Sequence, residues 1–256
     1  MTNPFMNKSN IPADRSKVKL ARPPAPCVMI PLSPASLENR TMKSFLACAL
    51  LGSAFLGAAV AADPTEKWEK EIAAMEARDK AAPPGGIVFV GSSSIRLWDL
   101  KKSFPELPAL NHGFGGSTTP DAVKFAERLI TAFQPKTVVF YSGDNDLATG
   151  RKPEQFEADV KELVKLIHAK LPEAKILLLP IKPSPSRAKL RTAQDDANRR
   201  LKKLAAGDPR LTYVDIVAPM LDSDGNPRPE LFRDDKLHLN ADGYAVWNKV
   251  LEPLLK

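Results

Sequence analysis

Cysteine is nearly missing from this 256-residue chain: Cys27 and Cys48 are the only two, and neither lies beyond residue 62. From residue 63 onward there is no thiol, which excludes cysteine nucleophiles, disulfide staples and Cys-ligated metals there and suits an oxidising compartment. Histidine is almost as sparse. His112, His168 and His238 stand in unrelated segments without the short spacings a zinc site needs, so neither a metal nor a cofactor is expected. A large net charge is missing as well. The whole chain carries 37 basic and 30 acidic residues, but seven and two of these fall in residues 1–62, leaving 30 against 28. So small an excess gives no electrostatic footprint for nucleic acid. No internal repeat or long low-complexity segment follows Asp63, and residues 63–256 are enough for one domain with a substantial core.

The N-terminus has its own composition. From Met42 the sequence places one lysine before an uncharged apolar stretch from Ser44 to Ala62, and charged sequence then begins. That order is the form of a secretory signal peptide, residues 42–62, with Ala59 and Ala61 fitting the small-residue exit rule. Cleavage is expected near Ala61 or Ala62, giving a mature start near Asp63 and a periplasmic or extracellular product. The competing reading is an uncleaved anchor through residues 44–62, a length just able to span a bilayer, but the stretch is rich in Ala and Gly and only weakly apolar. A lipoprotein reading at Cys48 is weaker, since the apolar run before it is too short. Residues 1–41, rich in Pro, Lys and Arg, read as a non-native or disordered extension, with Met42 the expected start in place of Met1.

After a charged amphipathic helix around Trp68 to Lys80, short apolar runs alternate with longer segments of helical period. Strands are predicted at Ile87–Gly91, Ala109–Phe114, Thr137–Ser142, Lys175–Pro180 and Leu211–Ile216. Helices are predicted at Thr119–Phe133, Pro153–Lys170, Arg187–Ala205 and Ala241–Leu255. Runs apolar on consecutive positions belong to parallel strands covered on both faces, so the alternation predicts a three-layer α/β/α sandwich. In such sheets the working residues sit on loops at the carboxyl ends of the strands. The three prolines of Pro180–Arg187 make that loop either a stiffened rim of the site or a loop alone.

Four segments on those loops carry chemistry. Gly91-Ser92-Ser93 ends the first strand, where a serine can serve as nucleophile if a base reaches it; the same residues are also ordinary turn formers. Asp235 stands three residues before His238, a spacing that lets a carboxylate orient an imidazole. The bland reading there is a solvated loop, with Asn240 or Asp242 capping the last helix. Gly116, in NHGFGGSTT, can offer a bare backbone N–H, and Asn145, in YSGDNDLATG, a side-chain amide; both suit a developing oxyanion, and both suit turns.

In this order the four segments resemble the blocks of the SGNH hydrolase superfamily, also called GDSL esterases and lipases. The likeness spans nearly all of residues 63–256. It implies a flavodoxin-like, five-stranded parallel sheet, Ser93 as nucleophile, His238 as base and Asp235 as its orienter. Gly116 and Asn145 then serve as oxyanion donors beside the Ser93 backbone N–H. One departure is that the usual block-one aspartate is replaced by Ser92, leaving Ser93 between two other hydroxyls. Asp146 reads as a structural tie between loops. His112 is expected to line the site or only to pack, and His168 to be a surface or half-buried residue.

The resemblance implies a carboxylic ester hydrolase acting on a small-molecule, glycan or lipid ester. Without a long apolar lid between the blocks, short acyl groups such as carbohydrate O-acetyl esters are favoured over the longer chains of lysophospholipases and thioesterases. A catalytically silent glycan- or lipid-binding module is the rival from another class. Nucleic acid is not an expected partner, nor is stable membrane insertion once the signal is cleaved.

Overall fold

The structure, a computed structural model, describes residues 65–256. The expectations for the extension at 1–41 and the signal peptide at 42–62 lie outside the described residues. Among the described residues no helix is long and apolar enough to cross a membrane.

Five strands form the sheet: β1 Ile87–Gly91, β2 Ala109–Gly113, β3 Thr137–Tyr141, β4 Lys175–Leu178 and β5 Leu211–Tyr213. All pair in parallel, in the order β2-β1-β3-β4-β5. This is the flavodoxin-like order, in which the chain reverses its winding between β1 and β3 and opens a crevice at their carboxyl ends. The helices before β3 are α1 Glu66–Asp79, α2 Ser93–Arg96, α3 Leu100–Ser103, α4 Thr119–Lys124 and α5 Ala126–Leu129. Those after it are α6 Asp144–Ala148, α7 Pro153–Lys170, α8 Arg191–Ala206 and α9 Ala241–Leu255.

Alternation along each strand feeds two cores. Val88, Val90, Val138, Phe140, Ile176 and Leu178 face α1, α4, α5, α7 and α8. Ile87, Phe89, Val139, Tyr141 and Leu177 face the other way, onto Trp98, Leu100 and the α9 residues Tyr244, Trp247 and Leu251. Each such side chain contributes about 1.5–3 kcal/mol on full burial, so packing on both faces stabilises strands too short to persist alone. The expected sandwich is present.

Boundaries differ where packing overrides periodicity. The predicted helix over 119–133 is broken into α4, α5 and a 3-10 turn at Thr131–Phe133, because the backbone leaves helical geometry at Phe125 (φ −95°, ψ 7°) and again at Ile130 (φ −125°, ψ −68°), both with side chains buried in the core. The helix predicted from Arg187 begins as a 3-10 segment, Pro185–Leu190, with Arg187 itself non-helical, and α8 proper starts at Arg191. Strands β2 to β5 end earlier than predicted, since their last apolar residues already belong to the loops that build the crevice.

Candidate active site

The first requirement is a serine that meets solvent. Ser92 caps α2 in an extended conformation and its N–H donates to the Tyr141 carbonyl oxygen at 3.2 Å. Ser94 is buried, with its carbonyl oxygen accepting from the Tyr244 hydroxyl at 2.8 Å. Ser92 and Ser94 are each 1 % exposed, so only Ser93 of the three can offer its hydroxyl. The corner is built from glycine for steric reasons. A Cβ on Gly91 would lie 1.8 Å from the Tyr141 carbonyl oxygen, and one on Gly113 would lie 2.2 Å from the Arg96 backbone nitrogen.

The histidine comes from a tightly tied loop between a 3-10 turn at Pro229–Leu231 and α9. Phe232 bridges to Leu239, and the Arg233 N–H donates to the His238 carbonyl oxygen at 2.8 Å. Lys236 takes the left-handed conformation (φ 55°) that closes the loop. Asp235 then does two things with its two oxygens. Oδ1 accepts the backbone N–H groups of Leu237 and His238, each at 2.9 Å, and Oδ2 lies 2.6 Å from His238 Nδ1. On the far side of the ring, His238 Nε2 lies 2.9 Å from Ser93 Oγ across 145 residues of sequence. With Nδ1–H donating to the carboxylate, the Nε2 lone pair accepts the serine O–H. Partial desolvation pushes the Asp235 carboxyl up, but hydrogen bonds from the His238 ring and the two backbone N–H groups outweigh it and bring its pKa to about 2. Asn240 caps α9 by accepting from the Gly243 N–H at 3.0 Å, so the capping reading of this segment holds beside the other.

Gly116 and Asn145 are set against each other. Gly116 sits in the loop after β2 with φ +76° and open space around it, and the Asn145 amide donates to the next carbonyl, that of Ser117, at 2.9 Å. Asp146, wholly buried, accepts from the Thr119 N–H with both oxygens at 3.0 and 3.1 Å, which is the tie between loops its position suggested. Burial raises its pKa against the hydrogen bonds from Thr119, which lower it. The Pro180–Arg187 loop backs the histidine loop, with the Ser186 N–H donating to the Lys236 carbonyl oxygen at 3.1 Å.

The other histidines stand apart. His112 is buried, with Nε2 3.0 Å from Asp79 Oδ2 and Nδ1 2.5 Å from the Leu129 carbonyl oxygen, so it ties β2 to the ends of α1 and α5. His168 Nε2 meets the Ala174 carbonyl oxygen at 3.1 Å. Among the described residues no three or more His, Asp or Glu side chains come together to hold a metal ion.

Three residues that periodicity did not single out support the site. Trp68 Nε1 donates to the Gly115 carbonyl oxygen at 2.9 Å. Tyr141 and Lys182, both fully buried, converge on Asp144, the neighbour of Asn145. The available signal was a lone lysine directly after the apolar run Ile176–Ile181.

The GDSL-like Lipase/Acylhydrolase family matches residues 98–246, a span that includes Gly116, Asn145, Asp235 and His238 and begins after Ser93. The human platelet-activating factor acetylhydrolase IB subunit alpha1 is 29% identical over 176 residues, 66% of this chain and 74% of that protein. A GDSL-like lipase from Bacteroides thetaiotaomicron superposes with a TM-score of 0.62 at 19% identity, covering 75% of this chain and 97% of that one. The acetylxylan esterase Axe2 of Geobacillus stearothermophilus gives 0.55 at 17% identity over 68% and 95%; at these identities the two structures speak for the fold. A hydroxyl, an imidazole and a carboxylate chained by hydrogen bonds are what activates a serine toward a carbonyl, and with a family match over more than half its length this chain belongs to the GDSL-like Lipase/Acylhydrolase family and is an ester hydrolase.

Proposed function

We propose that this protein is a serine esterase that removes short acyl groups, of the carbohydrate O-acetyl type, through Ser93, His238 and Asp235. The observation that carries the reading is the unbroken chain Ser93 Oγ, His238 ring, Asp235 carboxylate, at 2.9 and 2.6 Å. His238 takes the Ser93 proton as the hydroxyl attacks the ester carbonyl, and returns it to the departing alkoxide. The Ser93 and Gly116 N–H groups and the Asn145 amide receive the oxyanion, each such donor being worth about 3–4 kcal/mol of barrier in comparable sites. Water then repeats the cycle on the acyl-serine and frees the acid.

Two points favour a short acyl group over a long one. Among the described residues no extended apolar lid lies between the loops that carry these residues, and the relatives named above include an acetylhydrolase and an acetylxylan esterase. Export, read from residues 42–62, would place the enzyme where envelope or extracellular acetylated glycans occur. The test is a series of p-nitrophenyl esters of increasing acyl length, run beside an acetylated xylo-oligosaccharide and a lysophospholipid, with Ser93→Ala as control. p-Nitrophenol release that falls as the acyl chain lengthens and vanishes in Ser93→Ala, together with fluorophosphonate labelling of the wild type alone, supports the reading. Undiminished turnover by Ser93→Ala overturns the residue assignment, and a preference for long chains overturns the substrate.

A further inference from the structure

At the crevice between β1 and β3 a buried ion pair stands beside the proposed oxyanion donor. Asp144 and Lys182 have side chains only 6% and 1% exposed, with Lys182 Nζ 2.7 Å from Asp144 Oδ2. The Tyr141 hydroxyl donates to the same oxygen at 2.5 Å and itself lies 3.2 Å from Lys182 Nζ. Burial first, and then the Asp144 charge, push the Tyr141 phenol well above its ordinary value, so it stays a donor. Among the described residues Asp144 Oδ1 has no hydrogen-bond partner, and the carboxylate therefore depends on Lys182 and Tyr141 for its compensation. The Tyr141 carbonyl oxygen accepts from the Ser92 N–H at 3.2 Å, so the cluster adjoins the segments of both Ser93 and Asn145.

A buried ion pair is poor value for stability alone, since well-packed apolar residues of similar volume commonly serve as well or better. Its location supplies another use. A carboxylate next to Asn145 would oppose the negative charge that develops on the substrate oxygen, and it would favour the protonated form of a nearby imidazole. A cation seated on that carboxylate removes both penalties.

We propose that Lys182 is a positioning residue for the hydrolysis: by holding and neutralising Asp144 it keeps the ground next to the Asn145 amide free of uncompensated negative charge. This rests on Ser93, His238 and Asn145 having the roles given above. Other charged or titratable groups on the surrounding elements are Tyr141 on β3, Asp146 with Arg151 at α6, Arg187 after β4, Tyr244 on α9, and Asp235 with His238 in the histidine loop. None of them meets Asp144 Oδ1 in a hydrogen bond.

Charge and mere scaffolding are separated by comparing Lys182→Met, Asp144→Asn and the double variant for folding by circular dichroism, for kcat and KM on p-nitrophenyl acetate, and for the pH profile of kcat/KM. In Lys182→Met, kcat is expected to fall about tenfold to a hundredfold with KM little changed, and the acid limb to move up by about half a pH unit or more. Asp144→Asn leaves the opposite charge unbalanced, so its acid limb should move down. The double variant, neutral at both positions, should recover kcat to within a few-fold of wild type and return the limb to its original place. Should Lys182→Met fail to fold, the direction of the shift in Asp144→Asn and the recovery in the double variant carry the test. Acid limbs that stay put in the folded variants, or a double variant no faster than the slower single one, overturn the proposal while the Ser93 reading stands. Hydrolysis that persists in Ser93→Ala overturns both.

Discussion

Trp68 on α1 donates its indole N–H to the carbonyl oxygen of Gly115 at 2.9 Å. The first described helix thereby holds the loop that carries Gly116, while the Trp68 ring packs edge-on against Phe114 at 5.4 Å. Trp68→Phe keeps most of the apolar contact and removes the hydrogen bond. It is expected to lower unfolding stability by about 1 kcal/mol and to lower kcat by more than it changes KM, because the loop next to the proposed oxyanion donor loses its tether. Urea denaturation and steady-state kinetics check the two effects separately. Kinetics identical to wild type would show that Gly116 needs no such support.

Asp235 is expected to act at every working pH. With a carboxyl pKa of about 2 it is ionised throughout the neutral range, so the fall of activity on the acid side must come from another group. Asp235→Asn retains an oxygen for the Leu237 and His238 N–H groups and should fold, but its amide presents the wrong partner to the imidazole. A loss of about 10²- to 10⁴-fold in kcat is expected at neutral pH. Rates within a few-fold of wild type would remove Asp235 from the mechanism.

Much of this arrangement was legible in the sequence, for reasons that also mark where legibility stops. Ile87–Gly91, Pro153–Lys170 and Ala241–Leu255 appear with the predicted limits, because an apolar run ended by glycine or a helical period opened by proline leaves one solution. Ser93, Asp235 and His238 were readable because their types, order and loop positions constrain one another. The break after Leu129 was not, since no glycine or proline marks it and the helix yields to core packing around Ile130. Short helices such as α2 and α6 span too few residues to show a period. Lys182 left only the signal of a lone lysine after an apolar run, for a different reason: periodicity treats lysine as solvent-facing, and only the fold brings its ammonium to Asp144.

Two glycines near the serine should respond in opposite ways. Gly91 has φ +147° and no room for a Cβ, which would stand 1.8 Å from a backbone oxygen. Gly91→Ala must therefore separate β1 from β3 and is expected to leave little folded protein. Gly116 also has a positive φ, +76°, but nothing lies within 4 Å of an added Cβ. Gly116→Ala carries only the cost of left-handed backbone, about 1–2 kcal/mol, and remains folded. Equal losses in the two unfolding curves would contradict the packing described here.

The Asp79 carboxylate at the end of α1 gives the fold a dependence on acid that is separate from the site. Burial pushes the Asp79 carboxyl up, but hydrogen bonds from Arg78 and His112 prevail and its pKa is lowered in the folded state. A carboxyl whose folded pKa lies below its unfolded value of about 4 contributes stability above that pH and loses it as the pH falls through the lowered value. Asp79→Asn is thus expected to be less stable than wild type at pH 7, by roughly 1–2 kcal/mol for a hydrogen bond to a charged partner. The gap should narrow as the pH is taken from 5 toward 3, since protonation leaves the wild type with a neutral partner as well. Urea midpoints at pH 7, 5, 4 and 3 measure it, and a gap that stays constant across the series would show that the Asp79 charge contributes nothing to holding α1 on β2.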